Sequence, residues 1–143
     1  MTKKSTFAIA IQLAAATLFT TAAQAGDLRV EVRGLTAADS GTVNVALADK
    51  AEGFLKTFLA SQRIAAAPGA VLVVFRDLKS GDYAVTAFLD ENGNEKLDTN
   101  LFGMPTEKYG FSNDARGSFG PPSFADAKFS VGAGGATVVV NLQ

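Results

Sequence analysis

The stretch AVLVVFRDLKSGDYAVTAFLD, residues 70–90, decides the fold. Its second half places Tyr83, Val85, Ala87 and Leu89 on one face and Ala84, Thr86 and Phe88 on the other. That period of two marks a half-buried strand. The first half, Ala70 to Leu78, is apolar on both faces, which reads as a central strand. The short link Lys79-Ser80-Gly81 then predicts a hairpin between the two.

The same period recurs on both sides. Leu28, Val30 and Val32 alternate with Arg29, Glu31 and Arg33; Val43, Val45 and Leu47 alternate with Asn44, Ala46 and Ala48. Near the end, AKFSV and ATVVVNL flank the glycine-rich turn Gly132–Gly135 and read as a closing hairpin, with Val138, Val140 and Leu142 on one face. Between these strands, Phe54, Leu55, Phe58 and Leu59 have the spacing of at most a short helix near 52–60, ended by Pro68-Gly69. Six strands, antiparallel throughout, predict an all-β fold. The expected form is an antiparallel β-sandwich of immunoglobulin-like or transthyretin-like type, with a small barrel as the second choice.

The first 25 residues stand apart from this pattern. Lys3 and Lys4 precede an apolar run from Phe7 to Phe19, and Ala23-Gln24-Ala25 supplies the small residues a signal peptidase requires. The expected organisation is a signal peptide over 1–25 and one domain over 26–143, placing the mature protein in the periplasm or outside the cell. No later segment is long and apolar enough to span a bilayer as a helix, so no transmembrane segment is expected once the leader is removed.

Composition narrows the chemistry. The chain has 143 residues, 48% of them hydrophobic, with no cysteine, histidine or tryptophan. Without histidine or cysteine, neither a Ser–His–Asp nor a Cys–His arrangement can be built. Zinc and copper lose their usual ligands, so any metal should be a hard one held by oxygen. Without Lys3 and Lys4 the 13 basic residues fall to 11 against 14 acidic ones, a net charge of −3. Nucleic acid is not an expected partner, because phosphate binding needs a basic face.

The 36 residues from Glu91 to Asp126 carry little periodicity, yet include Phe102, Tyr109, Phe111, Phe119 and Phe124. Connections beyond roughly 12–15 residues are rare in compact domains unless they are functional or packed. Disordered linkers are poor in aromatics. The region of about 90–126 is therefore expected to be a long ordered loop and the seat of function. Its first part is rich in oxygen. Asp90, Asn92 and Asn94 alternate, the Lys96 carbonyl and Asp98 follow at the same spacing, and Leu97 offers an apolar anchor. A chain curling around Ca²⁺ needs alternate oxygens of this kind. Glu95 and Leu101 stand where a helix-loop-helix calcium loop wants Gly and Glu, so this is not an EF-hand. Three readings stay open: a calcium loop through Asp90, Asn92, Asn94, Lys96 and Asp98; a solvated Asn92-Gly93 turn; and a glycosidase-like hydrolase using Asp90 with Asp98 or Glu107.

DENGNEKLDTN, followed by GMPTEKYGFSND and FGPPSFADAKF, resembles the exported bacterial family catalogued as domain of unknown function 2141. The resemblance runs from LRVEV through SGTVNVAL and DLKSGDYAVTAFLDENGN to the final strand. It implies an exported β-sandwich module and brings no activity, cofactor or catalytic residue. The family's acidic turn usually has Gly where this chain has Glu95. Read physically, Phe111, Phe119 and Phe124 are expected to plug one end of the sandwich. Tyr109, Asn113 and Arg116 are the candidate binding contacts for an unknown protein, peptide or carbohydrate. A binding or structural role in the cell envelope, with Ca²⁺ as the candidate cofactor, is the expected function.

Overall fold

Residues 25–143 are described by a computed structural model; the expected signal peptide lies outside them except for Ala25. The strands are β1 (Ala25–Leu35), β2 (Thr42–Ala48), β3 (Ala60–Ala65), β4 (Gly69–Lys79), β5 (Gly81–Asp90), β6 (Tyr109–Phe111), β7 (Phe129–Val131) and β8 (Ala136–Asn141). One short helix, α1, spans Phe124–Ala127. Two sheets face each other. The smaller runs β4-β1-β8; the larger runs β3-β2-β5-β6, with β7 beside β5.

Between the sheets lies one core, built from the inward-facing residues that the alternation marks. Leu28, Val30 and Val32 of β1 meet Val43, Val45 and Leu47 of β2, with Val85, Ala87 and Leu89 of β5 and Val140 of β8. Each of these leaves water almost completely. Burying a Val or Leu side chain contributes about 1.5–3 kcal/mol, so this cluster supplies the main driving force. The all-β sandwich is as expected.

Several pairings differ from the expectation. β4 and β5, separated by Ser80 alone, do not form a hairpin: β4 pairs with β1 in one sheet and β5 with β2 in the other. Nor is β4 central. It is an edge strand, and Leu72 on its outer face stays half exposed. β7 and β8 also separate, β7 pairing with β5 and β8 running parallel to β1, so the sandwich is not antiparallel throughout. Hydrophobic alternation reports which face is covered and carries nothing about which strand lies alongside. The segment at 52–60 forms hydrogen-bonded turns around Gly53 and leads directly into β3, which the sequence pattern did not suggest.

The two sheets are joined along one side by the C-terminal tail. Leu142 donates its backbone N–H to the Arg33 carbonyl of the small sheet, while Gln143 and Tyr109 of β6 exchange both backbone hydrogen bonds. Gly110 makes this approach possible, since a Cβ there would lie 2.3 Å from the Asn141 carbonyl oxygen.

Candidate loop and apolar tip at the end of β5

Asp90 ends β5, and its side chain is fully buried. The chain that follows folds back over it. One carboxylate oxygen accepts the backbone N–H of Gly93 at 2.7 Å and of Asn94 at 3.2 Å; the other accepts that of Glu95 at 2.9 Å. Burial pushes the Asp90 carboxyl upward. The N–H groups of Glu95, Gly93 and Asn94, with the nearby Arg63 guanidinium, outweigh it and hold the group below the usual carboxylate range. This is opposite to the direction a general acid requires.

Glu107 is the second buried carboxylate. Its two oxygens accept the backbone N–H of Glu91 and of Asp98, each at 3.0 Å, closing the base of the loop. Asp98 accepts from the side-chain amides of both Asn92 and Asn94. The Asn92 and Asn94 side-chain oxygens each accept the N–H two residues on, forming successive turns. Arg63 of β3 pairs with Glu95 across the outer face of the large sheet. The acidic turn, Glu91 to Lys96, is exposed to solvent yet not loose: its oxygens organise its own backbone. Among the described residues, no three acidic side chains are placed to hold a metal ion. The loop brings Asp90, Asn92, Asn94 and Asp98 together, while the Lys96 N–H is bound by Asn94.

Beyond Asp98 the loop narrows into a tight hairpin. Thr106 donates its N–H to the Asp98 carbonyl, Thr99 bridges Pro105, and Asn100 donates to the Met104 carbonyl. The Asn100 side-chain oxygen accepts the N–H of Phe102 at 2.9 Å and of Met104 at 3.1 Å, and Gly103 takes the positive φ the turn needs. This fixed turn presents Leu101, Phe102 and Met104 to solvent; Phe102 keeps 91% exposure. The aromatic content of the region predicts packed side chains, but Phe102 faces water on a turn held by the Asn100 side chain. The signal was present in NLFGM, where Asn and Gly bracket large apolar residues as a turn.

After Glu107 the chain returns along β5. Leu89 donates its N–H to the Lys108 carbonyl, and Tyr109 of β6 lies opposite Phe88. Asp90 and Tyr109 therefore share one end of the sandwich. The rest of the aromatic excursion runs down the outer face of β5 instead. Phe111 and Ala127 cover Ala84, with Phe54, Leu55 and Phe124 around them, and Phe54 and Phe124 meet edge to face at 5.6 Å. Ser112 is fully buried; its hydroxyl accepts the Val85 N–H and donates to the Ala127 carbonyl. Phe111 and Phe124 pack as expected, but against the sheet's outer face. Phe119 does not pack and is fully exposed.

Of the candidate contacts, Tyr109 and Arg116 line one small cleft with Asn141 and Gln143, about 40 Å³ in volume. Such a volume admits water and no sugar ring. Arg116 donates to the Gln143 side chain across it. Asn113 does not join them: its amide donates to the Lys128 carbonyl at 2.8 Å and tethers the turn before α1.

Fold and loop together define a β-sandwich module with a carboxylate-stapled loop carrying an apolar tip. A family model described as "Uncharacterized protein conserved in bacteria (DUF2141)" matches residues 30–139, and the chain belongs to that family. No curated protein and no solved structure matches it. No helix among the described residues is long and apolar enough to cross a membrane.

Proposed function

We propose that this protein is a non-catalytic binding module of the bacterial cell envelope, periplasmic or secreted, that works through the loop at residues 90–107. The observation that carries the reading is the exposure of Leu101, Phe102 and Met104 on a turn fixed by Asn100. Large apolar side chains held out to water by an ordered backbone mark an interaction surface. The buried carboxylates support a scaffold rather than a hydrolase, because each oxygen of Asp90 and Glu107 accepts a backbone N–H. The expected leader, ending next to β1, supports export. A photo-crosslinking residue at position 102, in cells that make the protein, should yield a discrete adduct that the same residue at Thr137 does not. Equal or absent adducts at the two positions would remove this reading.

Calcium assistance of the same loop is a second reading, favoured by the convergence of the Asn92 and Asn94 side chains on Asp98. The ion would replace those amide contacts, drawing on Asp98 and the nearby side-chain and main-chain oxygens. With a dissociation constant near 1 mM, typical of weak extracellular sites, about 10 mM Ca²⁺ would stabilise the fold by roughly 1.4 kcal/mol. That raises Tm by roughly 4–8 °C over chelator. Identical melting curves would discard calcium and leave the binding module standing.

A further inference from the structure

The apolar tip stands in an acidic setting. Residues 90–107 contain five carboxylates, Asp90, Glu91, Glu95, Asp98 and Glu107, against the single cation Lys96. The loop thus carries a charge of −4, more than the net charge of the whole chain beyond the expected leader. One cation from outside, Arg63, pairs with Glu95 and also lies near Asp90; the hydrogen-bond partners of Asp90 and Glu107 are uncharged N–H groups. Glu91 and Asp98, anchored to the same Glu107 carboxylate, flank the base from which the tip projects.

Resting on the binding-module reading, we propose that the tip docks a basic amphipathic protein segment, one whose apolar stripe covers Leu101, Phe102 and Met104 while its Lys or Arg residues face the acidic base. Charge selects this occupant. An anionic bilayer offers apolar depth but its surface potential attracts basic segments and repels this loop. A second tip from another copy would bring two −4 loops together. A segment that is both apolar and basic satisfies both halves of the surface, and charge complementarity of this kind sets partner choice and encounter rate.

The chain has no tryptophan, so a tryptophan-bearing probe is seen without interference. The probe is an 18-residue peptide of leucine and lysine with one Trp, titrated into the purified protein. Its emission should shift to the blue on binding, and the affinity should fall at least about tenfold in Leu101→Ser/Phe102→Ser. It should also weaken between roughly 20 mM and 300 mM salt, as charges become screened, and be unchanged in Phe119→Ser, which alters a fully exposed aromatic outside the tip. A counterpart with glutamate for lysine should not bind. Equal binding of the two peptides, or no effect of the double substitution, overturns the proposal. So does Phe102-dependent binding to phosphatidylethanolamine/phosphatidylglycerol vesicles, or Phe102-dependent self-association in light scattering. Failure of the peptide with a crosslink at 102 intact would reject the partner class alone; loss of both would reject the reading beneath it.

Discussion

Asp90 and Glu107 divide the amides of one loop between them without sharing any: Asp90 takes the N–H groups of Gly93, Asn94 and Glu95, and Glu107 those of Glu91 and Asp98. Both carboxylates are buried, so a group that replaces either must itself satisfy the amides that point at it. Asp90→Asn exchanges one acceptor oxygen for a donor that opposes an N–H. It should lower Tm by roughly 10 °C at neutral pH, read by calorimetry. Glu107→Gln should act in the same direction.

The pH dependence follows from direction alone. Asp90 sits below its ordinary value, its N–H partners outweighing burial; Asp39 does so chiefly through Lys108, Asp82 chiefly through Lys128 and Asp126 chiefly through Ser123. A carboxyl whose folded value is depressed stabilises the fold fully above its unfolded value, near pH 4, and loses that contribution as pH falls through the lowered folded value. Tm should therefore be flat from about pH 7 to 5 and drop below about pH 4. The gap between wild type and Asp90→Asn should narrow in that acid range. A gap that widens in acid would contradict the assignment.

Ser112→Ala removes the hydroxyl that joins Val85 of β5 to Ala127 of α1. It leaves a buried N–H and a buried carbonyl without partners, which costs about 1–3 kcal/mol. The expected signature is a lower urea midpoint with an unchanged denaturant slope, since the same surface is exposed on unfolding.

Gly110→Ala should be destabilising by about 1–3 kcal/mol, because the added methyl meets the Asn141 carbonyl at 2.3 Å and cannot be placed without moving backbone. Amide exchange at Tyr109 and Gln143, whose mutual bonds join β6 to the tail, should rise most. A neutral substitution would show that this edge of the sandwich is more open than described.

What the sequence made legible was burial, and what it hid was pairing. β1, β2 and β5 alternate because one face of each is covered, so their core residues could be named in advance. β3 could not: Ser61, Gln62 and Arg63 are all exposed on an edge strand, and the polar Gln62 between the partly covered Ala60 and Ile64 breaks the periodic signal. β4 reads as central in sequence because apolar residues on its open face, such as Leu72, imitate a strand covered twice. At the site, the oxygen-rich turn was legible as ordered chemistry, but whether its oxygens serve an ion or the backbone depends on the fold-back over Asp90. Alternate spacing of Asp90, Asn92 and Asn94 suits either use. The exposed tip was hidden for a plainer reason. A phenylalanine in a sequence is read as core, and only the Asn100-centred turn shows that Phe102 faces water.

Amide hydrogen exchange across residues 91–98 tests the central claim most directly. If two buried carboxylates hold this loop as a rigid base for the tip, the N–H groups of Glu91, Gly93, Glu95 and Asp98 should be protected despite lying in a surface segment. Asp90→Asn should release Gly93 and Glu95 first, and Glu107→Gln should release Glu91 and Asp98. Exchange of all four at unstructured-chain rates in the wild-type protein would contradict it.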